Sequence, residues 1–333
     1  MKNRIGTMIF TAAAAAAVLS ACGNSAVSTD RETSGGSDDH RLSVVCTNFP
    51  EYDFARQIAG DRADVTMLLK PGTESHTFEP TPEDIINIQN SDLFVYVGGD
   101  SDAWVSDVLS SMDRPKRSVF RLMDQVKTVE EETKEGMEAE EGETEDGEAE
   151  DGSAGDEAEM DEHVWTSPAN AITIMEKMKD ELGRLDPANA AIYSGNAETY
   201  IERIRNLDEQ FREVIDKAER KEIIVADRFP FRYFCDEYGL DYYAAFPGCS
   251  TDTQPSAKTV AFLTDKVIRD GIPVIFHIEL SNGEMADSVA EATGAKPELL
   301  NAVHNVSEED FRNGATYVSL MQHNVEALQE ALN

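Results

Sequence analysis

Apolar positions along the chain alternate between short continuous runs and stretches with helical spacing. RLSVVCTNF is an apolar run typical of a buried strand, and the PEYDFARQIAG that follows has helical spacing and a terminal glycine. The same succession recurs in ADVTMLL with TPEDIINIQNS and in DLFVYVG with DAWVSDVLSSM, before a fourth strand, SVFRLM. Alternating strands and helices favour a parallel sheet with helices on both faces. The pattern therefore predicts an N-terminal α/β lobe over residues 42–127.

A second α/β lobe is predicted over residues 221–333. Its strands are EIIVAD, DYYAAF and PVIFHIEL, and the short apolar run before His304 is a candidate last strand. Between the lobes, residues 163–220 are predicted to be helical, and their second half contains over 30 residues without proline. A helix of that length spans about 45 Å at 1.5 Å per residue. It is predicted to be a strut that joins two lobes with mainly parallel sheets.

An acidic segment, residues 128–162, interrupts the pattern. Residues 130–162 carry 18 acidic side chains and one lysine, a net charge of −17 that leaves −19 of the total −36 for the rest of the chain. The segment has no hydrophobic period and many like charges, so it is predicted to be disordered. Such a charge disfavours nucleic acid or anionic lipid as a partner and fits a cation. The segment either attracts divalent cations weakly or is a solvated insertion without a role.

The N-terminus carries the pattern of an export signal. Residues 1–22 combine a basic start, a short apolar run and small residues before Cys22. The ending LSAC resembles the lipobox of bacterial lipoproteins, in which this cysteine is lipidated, and the alternative is a free cysteine beside an ordinary cleavage site. Residues 23–41 are rich in Ser, Gly and Asp, as in a flexible tether. We therefore expect an extracytoplasmic protein that is lipid-anchored to the bacterial cell membrane.

Several histidines fall where predicted strands end. These positions, with one neighbouring carboxylate, are His76, His163, His277, Glu279 and His304. In open α/β sheets, ligands bind in the loops beyond the carboxyl ends of the strands. Neutral imidazoles with one or two carboxylates suit Zn²⁺, and Mn²⁺ becomes favoured as oxygen ligands increase. The sequence therefore predicts a divalent metal site where the two lobes meet.

Three cysteines follow the signal sequence. An odd number of cysteines outside the cytoplasm indicates at most one disulfide and one free thiol. Cys46 and Cys249 each end a predicted strand, one in each lobe, so a disulfide between the lobes is one alternative. Cys235 lies within a predicted helix and is expected to be a buried thiol.

Several stretches together resemble the metal-binding lipoproteins of zinc and manganese ABC importers. They are the lipobox, NFPEYDFARQIAGD, PGTESHTFEPTPEDI, SDLFVYVGGDSDAWV, DEHVWTSP and the ending GATYVSLMQHNVEAL. The resemblance covers most of the chain after the signal. It implies two α/β lobes joined by one long rigid helix, with the metal held between them. The zinc branch typically has a histidine-rich segment before its second ligand, whereas this chain has an acidic one.

The resemblance also implies a ligand set. His76 and His163 match the two histidines of the family's first lobe. Arg228 stands where the family usually has a third histidine, and a protonated guanidinium cannot ligate a cation. The family's fourth ligand, commonly an aspartate, falls near His304. We therefore expect His76, His163 and His304 as ligands, with Glu279 as an oxygen ligand.

Two residues near the expected site have open roles. His277 is either a reserve ligand or a histidine packed at the edge of its strand. Arg228 is expected to pair with Glu279 or Asp227 and hold the cleft shut, or to have no such role. The sequence does not decide between these alternatives.

The predicted function is capture of Zn²⁺ and its delivery to an ABC permease and its ATPase. A monomer is expected, and it contacts the membrane through its lipid anchor alone. Two alternatives are Mn²⁺ binding on the same fold and an adhesion or scaffold lipoprotein. No enzyme activity is predicted, because the chain contains no HExxH, GxSxG or GK[ST] signature.

Overall fold

The computed structural model describes residues 41–112, 117–138, 159–250 and 254–333. Cys22, the signal sequence and nearly all of the tether lie outside these residues, so the predicted lipidation and tether stay predictions. Residues 41–333 form one compact unit. Of the helices described, none has the length and apolar content needed to cross a membrane.

The N-terminal lobe is a four-stranded sheet with strand order β2-β1-β3-β4. Its elements are β1 (Leu42–Cys46), α1 (Phe49–Ala59), β2 (Ala63–Met67), α2 (Pro82–Asn90), β3 (Leu93–Tyr96), α3 (Trp104–Ser110) and β4 (Ser118–Arg121). All strand pairs are parallel. The carboxyl ends of the strands therefore meet at one edge of the sheet.

The C-terminal lobe repeats this arrangement with strand order β6-β5-β7-β8. Its elements are β5 (Glu222–Arg228), α6 (Arg232–Tyr238), β6 (Asp241–Phe246), α7 (Ala257–Asp270), β7 (Val274–His277), α8 (Glu284–Thr293), β8 (Lys296–Leu299), α9 (Glu308–Arg312) and α10 (Tyr317–Leu332). Its strand pairs are also parallel. The last strand ends before the apolar run that was its candidate, so His304 lies in a loop.

Two helices join the lobes, α4 (Pro168–Leu185) and α5 (Ala190–Lys217). With 28 residues, α5 is about 42 Å long at 1.5 Å per residue. Its buried face is apolar at helical spacing, as at Ile204, Phe211 and Ile215. One hydrophobic core runs from the first sheet through α4, α5 and α10 to the second sheet. The predicted two-lobed α/β fold with a long connecting helix is confirmed.

Both ends of the acidic segment are ordered, which corrects the prediction of disorder for residues 128–138 and 159–162. Glu130 and Met160 form an antiparallel bridge. Beside it, the N–H of Glu131 donates to the carbonyl of Glu159 at 2.9 Å. Met137 is buried, so the first stretch packs against the protein instead of extending into solvent. Residues 139–158 lie outside the described part of the chain.

Candidate metal centre

Three histidines converge between the lobes. One ring nitrogen from each of His76, His163 and His304 lies within 4.8 Å of the others. The Nε2 atom of each ring is buried and has no hydrogen-bond partner among the described residues. A buried polar atom without a partner is destabilising unless a ligand satisfies it. Three such nitrogens facing one another are the arrangement that a metal ion completes.

The other ring nitrogen of each histidine faces a protein oxygen. These contacts are His76 Nδ1 to Ser101 Oγ at 2.9 Å, His163 Nδ1 to Asp161 Oδ1 at 3.0 Å, and His304 Nδ1 to Glu279 Oε1 at 3.0 Å. An Nδ1–H that donates to an oxygen leaves the lone pair on Nε2, which is the form that binds a metal. The three imidazole rings are therefore held in a metal-binding orientation before any ion enters.

His76 is held by the loop between β2 and α2. A capping box of Thr81 and Asp84 begins α2, with Pro82 in its first turn, as the sequence predicts. The carboxylate of Glu74 accepts the backbone N–H of His76 at 3.3 Å. Burial lowers the pKa of His76 well below its usual value, and the charges of the neighbouring histidines and Arg228 lower it further. His76 is thus neutral at physiological pH.

His163 directly precedes the segment that leads into α4, and it is fully buried. Asp161 accepts both its backbone N–H, at 2.8 Å, and its ring nitrogen. The backbone carbonyl of Asp161 accepts the hydroxyl of Tyr233 at 2.7 Å, which ties this turn to lobe two. Burial alone would lower the pKa of His163, but the charge and hydrogen bond of Asp161 outweigh it and raise the pKa.

His304 lies in the loop after β8, and Glu279 fixes it there. The carboxylate accepts the N–H of Ala302 at 2.7 Å and the N–H of His304 at 2.8 Å, as well as the His304 ring. Burial would raise the pKa of Glu279, yet the hydrogen bond and charge of His304 lower it. Both oxygens are thus engaged in lobe two. The structure places Glu279 behind His304, as its hydrogen-bond acceptor, and not as the oxygen ligand expected from the sequence.

Arg228 pairs with neither of the partners expected for it. Its guanidinium donates to both oxygens of Glu74, at 2.7 and 3.2 Å, so the ion pair joins β5 to the His76 loop of lobe one. Asp227 accepts only the backbone N–H of Arg228. Burial would raise the pKa of Glu74, but the hydrogen bonds and charge of Arg228 lower it to about 2. The predicted bridge across the cleft exists with a different carboxylate.

His277 lies outside the group of three histidines. Its Nδ1 faces the carbonyl of Ile278 at 3.1 Å. Its side chain lines a separate cavity of about 590 Å³ in lobe two. The position corresponds to the strand-edge alternative considered for it.

The three described cysteines are free thiols, so the structure does not contain the disulfide considered between Cys46 and Cys249. Cys249 instead lies beside two carboxylates of the acidic segment, Glu131 and Glu159. Burial, followed by the nearby carboxylates, raises the pKa of the Cys249 thiol well above its usual value. Cys46 and Cys235 are buried, as expected for Cys235.

The sequence reasoning missed the oxygens that orient the histidines. Asp161 and Glu162 directly precede His163, and this DEH sequence was a local signal of their role. Glu74 lies two residues before His76 and was a similar signal. Ser101 has no comparable signal, because its contact with His76 spans 25 residues and depends on the fold.

Comparison with known proteins identifies the family of this chain. The family described as "ZnuA: Zinc-uptake complex component A periplasmic" matches residues 44–331. The chain belongs to this family. It is 35% identical over 325 residues to the high-affinity zinc uptake system protein ZnuA of Bacillus subtilis (strain 168), covering 97% of each chain. The family resemblance inferred from the sequence is therefore confirmed.

One streptococcal relative is longer than this chain. The zinc-binding lipoprotein AdcA of Streptococcus pneumoniae (strain ATCC BAA-255 / R6) is 33% identical over 295 residues, 88% of this chain and 56% of AdcA. The chain thus spans about half the length of that relative. The crystal structure of the Zn(II)-bound ZnuA-like domain of S. pneumoniae AdcA superposes with a TM-score of 0.72 at 30% identity. That match covers 88% of this chain and 99% of the domain.

Proposed function

We propose that this protein captures Zn²⁺ outside the cytoplasm and delivers it to an ABC import permease. The observation that carries the proposal is the convergence of three buried, unpartnered Nε2 atoms from His76, His163 and His304. Imidazole nitrogens at this spacing suit Zn²⁺, whereas Mn²⁺ prefers sites richer in oxygen. No carboxylate belongs to this three-histidine group in the described part of the chain. Zinc is therefore favoured over manganese.

The site is suited to capture rather than to catalysis. A zinc site with three protein ligands can activate a water, but a reaction also requires room for a substrate. The cavity beside His304 has a volume of about 10 Å³, which is the space of about one water molecule. One water molecule or one ion fits there and an organic substrate does not.

The location and partners follow from the family. The family's description places it in a periplasmic zinc-uptake complex, and one relative is named a lipoprotein. Together with the lipobox-like ending at Cys22, these names support a protein anchored outside the cytoplasm by a lipid. In this proposal it acts as a monomer. Its partners in this proposal are an ABC permease and the ATPase that drives it.

Metal content and competitive zinc titration test the proposal. We expect one zinc per chain, and His76→Ala, His163→Ala or His304→Ala should each weaken binding by more than the roughly 10–100-fold that losing an outer-shell partner costs. The matched control is His277→Ala, which removes a histidine outside the group and should leave affinity nearly unchanged. Excess Mn²⁺ should not displace the zinc. Tight zinc binding that survives all three substitutions contradicts the proposed site.

A further inference from the structure

The three-histidine site is enclosed, which raises the question of how an ion reaches it. His163 and His304 are 0% and 6% exposed. The side chain of His76 is 3% exposed. A cation cannot reach the Nε2 atoms without a movement of the surrounding side chains. The inference that follows rests on the proposed function, because it takes the three histidines as the zinc site.

Two cavities adjoin on the side of Arg228. The small cavity of about 10 Å³ beside His304 is partly lined by Glu74, Arg228 and Leu280. The same three residues also line a larger cavity of about 190 Å³, together with Asp227 and other residues of lobe two. Glu74, Arg228 and Leu280 therefore form the wall between the histidine site and the larger cavity.

This wall is made of side chains that can move. Glu74 and Arg228 come from different lobes, and their carboxylate–guanidinium contact closes the wall. The side chain of Glu74 is 36% exposed, so rotation toward solvent is open to it. Leu280 is 40% exposed and has a φ of +61°, a left-handed conformation that is strained for leucine. These features favour opening at this place.

The wall toward a third cavity is fixed more firmly. This cavity of about 590 Å³ borders the small cavity through Ile278, Glu279, Leu280 and Asn305, so Leu280 belongs to both walls. Glu279 accepts two backbone N–H groups. The amide of Asn305 donates to the carbonyls of Lys70 at 2.8 Å and Thr73 at 2.9 Å. Opening on this side would break several hydrogen bonds to the backbone. On the Arg228 side, Glu74 can keep its own contacts with the N–H groups of Ser75 and His76, because movement of the guanidinium gives up its two bonds to Glu74 and a longer contact, 3.4 Å, with the carbonyl of Ser250.

The cavity of about 190 Å³ also offers a first oxygen contact for a cation. Asp227 Oδ2 is buried and has no hydrogen-bond partner among the described residues. Asp227 and Glu74 both line this cavity. A divalent cation that enters it therefore meets two carboxylates before it meets a histidine, and oxygen ligands bind zinc less tightly than three imidazoles do.

We propose that the cavity of about 190 Å³ is the zinc vestibule and that the Glu74–Arg228 pair is its gate. A cation in the vestibule competes with the guanidinium for Glu74 and repels Arg228, which separates the pair. The ion then passes to the Nε2 atoms, and the pair closes behind it. Because Glu74 also accepts the N–H of His76, closure of the gate resets the loop that carries this ligand.

Stopped-flow kinetics of zinc uptake and chelator-driven release test the gate. Arg228→Met keeps an unbranched apolar stem but removes the guanidinium and with it both hydrogen bonds to Glu74. Since gating changes the barrier and not the end states, association and dissociation should both become roughly tenfold faster, with the equilibrium affinity changing much less. Arg228→Lys keeps the charge and should return both rates toward those of the unaltered protein.

Matched variants separate the gate from a general structural effect. Arg212→Met breaks an arginine–glutamate pair between α5 and α6 that lines neither cavity, so both rates should stay unchanged. If Arg228→Met does not fold, Leu280→Gly opens the same wall without a change of charge and should also accelerate both rates; because Leu280 lines the cavity of about 590 Å³ as well, this variant needs a control in that cavity. Its control is Leu299→Gly, an exposed leucine that lines only the cavity of about 590 Å³.

Two results would overturn the gate alone. One is zinc binding with unchanged rates in Arg228→Met and Leu280→Gly, which would place the entrance elsewhere. The other is faster dissociation with unchanged association, which would mean that Arg228 only stabilises the bound state. An unaltered protein that binds no zinc overturns the proposed function and the gate with it, and equilibrium titration shows this before any rate is measured.

Discussion

At the scale of single residues, the role of each histidine depends on what its second nitrogen contacts. The three that converge place Nδ1 on Ser101, Asp161 or Glu279, which leaves Nε2 available to a metal. His277 lies at the end of a strand and faces only the carbonyl of its neighbour. Four histidines therefore share a position at the sheet edge, but only three of them belong to the candidate metal site in the described part of the chain.

The role of Glu279 was harder to predict than the positions of the histidines. Its carboxylate binds backbone N–H groups of residues 302 and 304, which lie 23 and 25 positions further along the chain. No local sequence pattern shows that the loop of residues 302–304 lies against Glu279. A carboxylate at a strand end near a metal site is equally compatible with a ligand and with a ligand's partner, so the sequence alone could not show the hydrogen bond to His304.

Glu279→Gln tests this role. Glutamine keeps the shape but loses the negative charge that accepts from His304, so we expect zinc affinity to fall by about 10–100-fold, the usual cost of losing an outer-shell partner. Competitive titration measures the fall, and Glu326→Gln on the exposed face of α10 is the control. A loss as large as that of His304→Ala would instead make Glu279 a direct ligand.

Zinc affinity should depend on pH through His163. Asp161 raises the pKa of His163 above its usual 6.5, so this ring takes up a proton at a higher pH than an ordinary imidazole, and a proton on Nε2 excludes the metal. We expect affinity to start falling above pH 6.5. In Asp161→Asn, the ring loses the largest of the contributions that raise its pKa while burial still lowers it, so the fall should move to lower pH. Zinc titration from pH 8 to about 5 in both proteins measures this shift.

The control for the pH series is Asp64→Asn, an exposed carboxylate that forms a surface ion pair with Arg41. Its pH profile should match that of the unaltered protein. If Asp161→Asn lowers affinity equally at every pH, Asp161 orients His163 without setting its protonation, and the expectation is wrong.

At the scale of elements, the alternation of strands and helices was predictable because each element carries its own apolar pattern. The capping box at Thr81 and Asp84 lies within four residues and was legible in the sequence. The order of the first part of the acidic segment could not be predicted in this way, because it depends on partners that are distant in the sequence. Lys134 pairs with Asp241, and Arg232 pairs with Glu132. Arg232 offsets part of the repulsion between the carboxylates, and Asp241 binds the one lysine of the segment, so both contacts fix it to lobe two.

At the scale of the whole molecule, the lobes are joined through more than the long helix. The continuous core passes through α4, α5 and α10, and the His304 loop contacts lobe one directly. The N–H of Phe49 donates to the carbonyl of His304 at 3.2 Å, and the N–H of Gly72 donates to that of Val306 at 2.7 Å. A large opening of the lobes would break these contacts. Rearrangement of a few side chains breaks fewer contacts and is therefore the favoured way for the ion to reach the site.

The acidic segment affects the molecule as a whole through its charge. Residues 139–158 contain ten acidic and no basic side chains, so removing them changes the net charge from −36 to −26. The antiparallel pairing of Glu130 with Met160 already brings the two flanks together, so a short Gly-Ser linker can replace the deleted residues. His163 should keep its position, because its contacts with Asp161 lie outside the deletion.

We expect this deletion to leave one zinc at the three histidines with unchanged affinity and dissociation rate. Association should slow by a few-fold at low ionic strength and by much less at high salt, because a concentrated negative charge raises the local concentration of cations and salt screens it. Changing the ten carboxylates to amides at constant length should have the same effect if charge is the cause. Unchanged association at low salt would make the segment a solvated insertion, whereas loss of the zinc would place the site in the segment and contradict the three-histidine centre.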